Sequence, residues 1–322
     1  MREVAAELLT LAEKQRATVP FMLAHRSAGL NRLCMGDIAQ GRAHFDRALA
    51  FYDPVEHRAL ATRFGQDARV AALSYRSLAL WMLGYPDAAL ADANEAVGSG
   101  REIDHAATLI YAPTITAFSH ALCGNYTTAN AQLYEAVALA DQKGALFWKA
   151  TGMVLTGCVS AVISKASEAV QMITSALAAF RSTGATLWVP AYLSHLARAN
   201  ADLRQLEDSW RCIDEALTMI KKSKESWYEA EVNRNAGEIE LESPEPDAEK
   251  AEAYFDRAMA VARQQQAKSW ELRAAMSMAR LWRDQGKRQQ AHDLLTPVYG
   301  WFTEGFDMGR IERLSGIVRR NS

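Results

Sequence analysis

A triplet of residues recurs seven times along this chain, mostly at a spacing of 40, and it constrains the fold more than any other feature. In Ala129, Leu133 and Ala136, as in the other copies, a bulky or apolar residue stands between two small or aliphatic ones. Offsets of four and three place all three side chains on one face of an α-helix. The sequence therefore predicts seven equivalent helices. The triplets begin at Gly41, Ala89, Ala129, Ala169, Ser209, Ala251 and Ala291.

A second column of small residues precedes the triplets and shows that each repeat contains two helices. Small side chains let two antiparallel helices approach closely, and the bulky residue of the triplet fills the groove between them. One hairpin cannot bury its own apolar face, so neighbouring hairpins must stack. The prediction is an all-α, right-handed superhelical α-solenoid of about seven helix-turn-helix repeats, each of about 40 residues. The second column comprises Gly29, Ser77, Ala117, Gly157, Ala197, Gly237 and Ala279.

A third column marks the turn inside each hairpin. Gly36, Gly84, Gly124 and Gly286 each end one helix just before the next begins, which is the usual place for a helix-terminating glycine. Ser164 and Arg204 take the matching places. Leucine at a small-residue position such as Gly157 or Ala197 should overpack the hairpin and cost about 1–3 kcal/mol.

Composition narrows the functional class. The net charge of −2 gives no support for a nucleic-acid partner. The longest run without a charged residue or a histidine, residues 150–164, is too short to span a membrane. Residues 1–16 carry both charge signs and do not resemble a secretion signal, so a cytoplasmic location is expected. Cys34, Cys123, Cys158 and Cys212 contain no CxxC pair and are expected to be reduced, buried thiols.

Motifs for catalysis or for cofactor binding are missing from the sequence. It has no HxxxH or HExxH metal motif, no GxxxxGK[ST] or GxGxxG phosphate loop and no GxSxG nucleophile turn. The seven histidines are separated from one another, and the carboxylates between Glu229 and Glu242 are typical of a surface helix. We expect no enzyme activity, no cofactor and no metal.

Two stretches resemble the tetratricopeptide repeat family. They are residues 123–136 (Cys-Gly-Asn-Tyr-Thr-Thr-Ala-Asn-Ala-Gln-Leu-Tyr-Glu-Ala) and residues 35–49 (Met-Gly-Asp-Ile-Ala-Gln-Gly-Arg-Ala-His-Phe-Asp-Arg-Ala-Leu). The small-residue column matches the glycine or alanine of that family's first helix. The repeat length differs from that of the family: it is 40 residues in this chain and about 34 residues in the family. Longer helices or longer links should account for the difference.

The C-terminal part is similar to the closing repeat of a bacterial group of signalling proteins. The resemblance rests on residues 270–275 (Trp-Glu-Leu-Arg-Ala-Ala), 281–287 (Leu-Trp-Arg-Asp-Gln-Gly-Lys) and 294–307 (Leu-Leu-Thr-Pro-Val-Tyr-Gly-Trp-Phe-Thr-Glu-Gly-Phe-Asp). In that group a helical-repeat tail follows a signal-transducing ATPase module, with a class III cyclase domain or a winged helix further upstream. The resemblance implies that this chain is a regulatory tail.

The repeats divide the chain into three parts of one solenoid over residues 1–322. Residues 1–18 match the second half of a repeat, so they are either a half-repeat or a capping helix, and Leu8, Leu9 and Leu11 form an apolar face without a partner. Residues 19–299 hold the seven hairpins, and residues 300–322 form a C-terminal capping segment. The turn-rich residues 242–247 are expected to be a solvated loop inside the sixth hairpin.

The family resemblance also implies where a partner would bind. First helices of such repeats line a concave groove that takes peptides, and arginines there can clamp carboxylates. An ordinary solvated face with salt bridges is the alternative. The groove positions carried over to this sequence are Arg26, Phe118, Arg198, Arg234, Glu238, Arg280 and Arg283.

Two further features leave alternatives open. Trp148, Trp188, Tyr228 and Trp270 recur at the repeat period, which favours packing between units over an aromatic ladder lining a ligand groove. Residues 101–200 hold 11 charged side chains against 34 in residues 201–300. This low-charge segment is either a partner or self-association surface, or simply the more deeply stacked middle of the solenoid.

The function most consistent with these patterns is a non-enzymatic interaction or ligand-sensing module. Its partner would be a protein or peptide, an upstream ATPase or cyclase module, or a second copy of the chain. A free-standing peptide-binding regulator or adaptor is the alternative. An enzyme on a helical scaffold would need a convergent group of polar residues that the sequence does not show.

Overall fold

The computed structural model describes residues 7–8, 10–12, 14 and 17–305. Regular structure in this part of the chain is entirely helical, without a β-strand. Most of the predicted half-repeat over residues 1–18 and of the capping segment over residues 300–322 lies outside the described residues. In the described part, Leu8 and Leu11 are exposed, whereas Leu9 is not described, so the apolar face at the start of the chain stays a prediction.

Seven hairpins alternate a first and a second helix, so the predicted all-α solenoid class is confirmed. The first helices are α1 (Thr18–Cys34), α5 (Ala68–Met82), α7 (Ala106–Leu122), α9 (Leu146–Val162), α11 (Val189–Asp202), α13 (Glu229–Leu241) and α15 (Lys268–Asp284). The second helices are α2 (Ile38–Ala50), α6 (Pro86–Ile103), α8 (Tyr126–Gln142), α10 (Ala166–Ser182), α12 (Leu206–Ser223), α14 (Ala248–Gln264) and α16 (Arg288–Tyr299).

The irregular spacing of the first two repeats has a structural cause. The link between α2 and α5 folds into α3 (Pro54–His57), a 3-10 turn (Arg58–Leu60) and α4 (Ala61–Phe64). Asp53 caps α3 by accepting a hydrogen bond from the backbone N–H of Val55 (2.7 Å). These short helices take up the additional residues that make this step 48 long. The later step of 42 falls at residues 242–247, which form a turn that is exposed from Pro244 onward, as predicted.

Two compact units divide the chain. One comprises Met1–Trp81 with Pro86–Leu155, and the other comprises Met82–Tyr85 with Thr156–Ser322. The two helices pack against one another in the hairpins α1–α2, α7–α8, α11–α12, α13–α14 and α15–α16. Within the second unit the first helices α11, α13 and α15 also pack in sequence. The predicted single solenoid over residues 1–322 stays a prediction.

Small residues of the first helices face bulky residues of the second helices, as the two columns predicted. A Cβ atom added to Gly29 would lie 2.6 Å from the ring of Phe45, and one added to Gly237 would lie 2.5 Å from the ring of Phe255. Gly157 has the same relation to Ile173, at 2.6 Å. These distances are too short for real atoms, so glycine at the three sites sets how closely the helices approach.

The turn column is confirmed even where glycine is absent. Gly36 and Gly124 have φ angles of 80° and 87°, and Ser164 and Arg204 have φ angles of 63° and 62°. All four residues adopt the left-handed conformation that ends a helix. The geometry of the hairpin therefore imposes this conformation even on residues with a side chain.

Burial agrees with the expected environment of the apolar and sulfur-containing side chains. All four cysteines are buried. None of the described helices is long and apolar enough to cross a membrane. Helix α7 is buried on every side between residues 110 and 122, which explains why this stretch carries no charge other than a histidine.

Candidate functional site

Three charged residues occupy the same position of consecutive first helices in the second unit. Arg198 lies on α11, Glu238 on α13 and Arg280 on α15, at spacings of 40 and 42. Arg280 donates to Glu238 with an Nη2···Oε1 distance of 2.8 Å. The charge of Arg198 also acts on Glu238. We call these three residues the charged row, and they were all among the positions predicted from the sequence.

Glu238 is the centre of the row and remains ionised. Burial raises its pKa, but the charges of Arg234 and Arg280 outweigh burial, and a hydrogen bond from Ser277 (2.6 Å) adds to their effect. The net result is a lowered pKa. The side chain of Arg280 is 44% exposed and is therefore accessible to another molecule.

Beside the row, Glu231 is a buried carboxylate held by two arginines. Its side chain is 3% exposed, and it accepts hydrogen bonds from Arg234 (Nη2···Oε1 2.8 Å) and from Arg273 of α15 (Nε···Oε2 3.1 Å). Burial raises the pKa of Glu231, but the two guanidinium groups prevail and lower it to about 2. The ion pairs therefore join α13 to α15 at neutral pH.

The outer end of the row is anchored to the loop of the sixth hairpin. Arg198 pairs with Asp202, which lies one turn further along α11. It also pairs with Glu242, just after α13, with a shortest N···O distance of 2.7 Å. Burial lowers the pKa of Arg198, and its two carboxylate partners more than reverse this. Arg198, Arg234 and Arg280 thus all have carboxylate partners within the protein.

The remaining predicted positions lie elsewhere. Phe118 is 6% exposed inside α7, and Arg283 pairs with Asp284 of its own helix (2.8 Å) rather than with the row. Arg26 lies on α1 in the first unit, where its Nη1 atom is buried and has no hydrogen-bond partner among the described residues. The structure therefore brings together four of the seven predicted residues, Arg198, Arg234, Glu238 and Arg280.

The aromatic residues at the repeat period pack between repeats. In the second unit, the rings of Tyr228 and Trp270 meet edge to face at 5.1 Å, and Trp188 and Trp227 meet at 4.6 Å. Tyr228 is 2% exposed and Trp270 is 1% exposed. This burial supports the packing interpretation of the aromatic column over a ligand-lining ladder.

Among the described residues, Glu225 is a buried carboxyl group without a cationic partner. It lies in the link between α12 and α13 and accepts hydrogen bonds from the backbone N–H of Trp188 (2.7 Å) and from Nε1 of Trp227 (3.1 Å). Burial raises the pKa of Glu225 to about 6, and the two hydrogen bonds limit the rise. The carboxyl group joins two successive links between repeats.

Sequence reasoning missed a pair of histidines. His25 of α1 and His44 of α2 approach to 2.9 Å between their Nδ1 atoms, and the ring of Phe21 stacks near His25. Burial is the main cause of the lowered pKa of both imidazoles. Their separation of 19 residues matches no histidine motif, so only the pairing of the two helices could reveal it.

The part of the chain that the structure describes holds no group of three or more metal-binding side chains. Burial raises the pKa of the Cys158 and Cys212 thiols, which disfavours the reactive thiolate. The polar residues near the charged row are paired with one another, so they can bind and orient a partner by exchanging hydrogen bonds.

Comparisons with known proteins bear on the fold. No family model matches the sequence, and no curated protein matches it significantly. Similar solved structures include the Rap conjugation gene regulator of plasmid pLS20 in complex with the Phr* peptide, with 12% identity and a TM-score of 0.64 over 95% of this chain and 79% of that chain. A Rap protein complexed with competence and sporulation factor has 14% identity and a TM-score of 0.62, covering 93% and 78%.

Aspartyl phosphate phosphatase F from Bacillus subtilis is also similar, with 13% identity and a TM-score of 0.57 over 90% of this chain and 73% of that chain. At such low identity these likenesses concern the fold alone. Together with the stacked hairpins and their small-residue columns, they show the fold. The chain has a tetratricopeptide-like helical-repeat fold. The likeness of this repeat protein to the tail of a signalling ATPase or cyclase regulator stays a prediction.

Proposed function

We propose that this repeat protein is a non-enzymatic binding scaffold whose first helices receive a protein or peptide segment. The charged row carries the proposal. Arg198, Glu238 and Arg280 repeat at one position of three successive helices, and they remain partly exposed although the helices around them are largely buried. Two of the similar structures are complexes with a peptide or a factor, which agrees with a binding role for this fold.

The charge balance of this surface indicates the kind of segment it suits. Arg198, Arg234, Arg273 and Arg280 are matched by four carboxylates, Asp202, Glu231, Glu238 and Glu242. A strongly acidic or basic segment would therefore be repelled by half of these groups. We expect a polar segment of low net charge that exchanges hydrogen bonds with the exposed guanidinium of Arg280.

Binding rather than catalysis follows from how these groups are held. Glu231 and Glu238 have lowered pKa values and arginine partners, so neither is placed to act as a general acid or base near neutral pH. The thiols are buried. We therefore infer that no covalent step takes place on this surface.

The biological setting that we propose is cytoplasmic signalling in a bacterium. The chain would serve as the regulatory tail of a signalling protein and transmit binding to an ATPase or cyclase module upstream of it. The alternative is a free-standing peptide-binding regulator or adaptor, with self-association into a homodimer as a further option. The DNA sequence upstream of codon 1 distinguishes the regulatory tail from the free-standing regulator or adaptor. An in-frame ATPase or cyclase module supports the tail, and an isolated gene supports the adaptor.

Selection of peptides on the full chain tests the binding role. Random 15-residue peptides are displayed against the immobilised wild-type protein, and the selected peptides are measured against the double variant Arg198→Gln/Arg280→Gln. We expect the variant to bind at least tenfold more weakly, because each arginine offers charge-assisted hydrogen bonds.

Arg211→Gln is the matched control, because Arg211 lies on the second helix α12, is 69% exposed and also pairs with a carboxylate, Asp208. It should bind like the wild type. Selection of no peptide, or equal weakening by the control, would contradict the proposal.

A further inference from the structure

We propose that His25 and His44 form a binding site for a divalent metal ion of the zinc type, with each imidazole bound to the ion through Nδ1. His25 lies on α1 and His44 on α2, so the ion would join the two helices of the first hairpin. The site belongs to the first unit and the charged row to the second, and the inference does not depend on the proposed function.

Two imidazole nitrogens supply the donor atoms. Neutral imidazole is the commonest metal ligand among side chains, and it suits zinc and the neighbouring transition metals rather than magnesium or calcium. The Nδ1 atoms of His25 and His44 are 2.9 Å apart, so the two atoms cannot both carry a proton. When the ion binds, the proton between the rings moves to Nε2 of its own ring by exchange with water. Both imidazoles stay neutral, and each presents a lone pair.

The spacing of the two rings suits a tetrahedral ion. Their centroids are 5.1 Å apart, and their planes are inclined by 37°. With zinc–nitrogen distances of about 2.0–2.1 Å, two imidazoles on one tetrahedral ion have centroids about 5.1–5.3 Å apart and nitrogen atoms about 3.3–3.4 Å apart. The rings therefore already have the required separation. A rotation of each ring that opens the Nδ1 pair by about 0.4 Å would direct both lone pairs at the ion.

Aromatic packing holds His25 and leaves the pair open to solvent. The ring of Phe51 stacks at 6.1 Å from that of His25 and at 5.5 Å from that of Phe21. His25 is 8% exposed, whereas Phe51 is 37% exposed and His44 is partly exposed, so an ion can reach the pair from solution. Since the described residues hold no group of three metal-binding side chains, water molecules would complete the coordination.

The charges around the pair affect how tightly a cation would bind. Arg47, one turn after His44 on α2, acts electrostatically on both imidazoles and would oppose a cation. Arg32 and Asp37 also act on His44, but they pair with each other at 3.1 Å, so their charges largely cancel. The opposing charge of Arg47 can be removed by substitution without touching either ligand.

Titration of the full chain with Zn²⁺, without an affinity tag, tests the site at pH 7. Binding is measured by isothermal titration calorimetry and by the imidazole Cε1–H NMR signals of His25 and His44. We expect one equivalent of Zn²⁺ to bind and to shift both signals together. Mg²⁺ is the control ion and should shift neither, because it prefers oxygen ligands. The thermal unfolding midpoint should rise with Zn²⁺ concentration, because the site exists only in the folded hairpin.

Substitution of either ligand, as His25→Gln or His44→Gln, should weaken Zn²⁺ binding at least about tenfold. His292→Gln is the matched control, because His292 is 34% exposed on α16 beside the carboxylate of Asp293. It should bind Zn²⁺ like the wild type. Arg47→Gln keeps both imidazoles and should tighten binding about twofold or more at low ionic strength, because the opposing charge is removed.

The pattern across these variants decides the proposal. Loss of binding in both ligand variants, together with tighter binding in Arg47→Gln, supports the site, and misfolding cannot produce this combination. A Zn²⁺ response that survives in both ligand variants, that His292→Gln removes equally or that Mg²⁺ reproduces would overturn it. So would the absence of a Zn²⁺ shift in the two imidazole signals. Peptide selection on the charged row tests only the proposed function, so the two proposals can fail separately.

Discussion

Arg273 of α15 donates a hydrogen bond to Glu231 of α13 across the boundary between two repeats, with 3.1 Å between Nε and Oε2. The two residues are 42 positions apart, which is the length of this repeat step. Arg234 binds the same carboxylate from within α13. The ion pairs that hold neighbouring repeats together therefore belong to the same group as the ion pairs of the charged row. A substitution that breaks a pair between the repeats should also disturb the charged row.

Glu231→Gln should destabilise the protein strongly. The amide keeps the shape of the carboxyl group but leaves two largely buried guanidinium groups without their counter-charge, and breaking such a buried pair costs about 3–5 kcal/mol. The free energy of unfolding, measured at pH 7 by urea denaturation followed by circular dichroism at 222 nm, should fall by this amount.

Glu135→Gln is the control for this change, because Glu135 and its partner Arg101 are both more than half exposed. Its effect should stay below about 1 kcal/mol. The effect of Glu231→Gln should also shrink as the pH falls from 4.5 toward 2, since the lowered pKa means that the wild-type carboxylate loses its stabilising charge there. Equal effects of the two substitutions would contradict the role of Glu231.

Glu225→Gln should raise the free energy of unfolding at pH 7. The pKa of Glu225 is raised from 4.5 to about 6, so the folded state binds more protons than the unfolded state between these values, and wild-type stability falls as the pH rises through this window. The loss amounts to about 2 kcal/mol. An amide oxygen can still accept from Trp188 and Trp227 and carries no charge to desolvate.

Unfolding curves recorded at pH 4 and at pH 7 check this prediction. At pH 4 the carboxyl group is already protonated in both states, so the variant and the wild type should be nearly equal in stability. A variant that is less stable than the wild type at pH 7 would show that the ionised carboxylate is needed in the link.

Gly157→Ala should cost about 1–3 kcal/mol of stability. The new Cβ would lie 2.6 Å from Cγ1 of Ile173 and 3.1 Å from its backbone nitrogen, so α9 and α10 would have to move apart. Gly98→Ala is the matched control on helix α6, where no atom lies within 4 Å of the added methyl group. It should stabilise the protein by about 0.5–1 kcal/mol. Thermal unfolding midpoints of both variants distinguish close packing from helix propensity.

The histidine pair should make the first unit sensitive to acid. Burial, the neighbouring imidazole and Arg47 lower the pKa of His25, and burial and Arg47 lower that of His44. Because the unfolded chain takes up protons near pH 6.5 and the folded chain resists them, stability should fall as the pH drops below about 6.5. NMR titration of the two imidazole Cε1–H signals should give midpoints below that value. Midpoints at or above it would rule out a neutral hydrogen-bonded pair.

The hairpin repeat could be read from the sequence because its cause is local and periodic. A bulky residue of the second helix points at each of the positions Gly29, Gly157 and Gly237. These positions must therefore hold a small residue, and the same constraint recurs at each repeat. The left-handed turn residues follow the same logic, although Ser164 and Arg204 show that glycine favours this conformation without being required for it.

The candidate site was less predictable, because it depends on which columns of successive helices face each other. Arg198, Glu238 and Arg280 were found from the repeat alignment, yet Glu231 and Arg273, which lie about two helical turns before Glu238 and Arg280, were not. Nothing in the spacing indicates that Glu231 is buried while Glu238 is partly exposed. The repeat alignment also included Arg283, which pairs with its neighbour Asp284 rather than with the charged row.

The sequence by itself determined the helices, their order in hairpins and the all-helical repeat class, because periodic small and bulky residues specify how one helix meets the next. Only the tertiary structure decided which charges are paired. The carboxylate of Glu231, the carboxyl group of Glu225 and the Nη1 atom of Arg26 owe their different states to burial and to their partners. Those partners lie about 40 residues away or, for Arg26 Nη1, are missing among the described residues. The free energy of a charge depends on its three-dimensional surroundings, which a single chain position does not record.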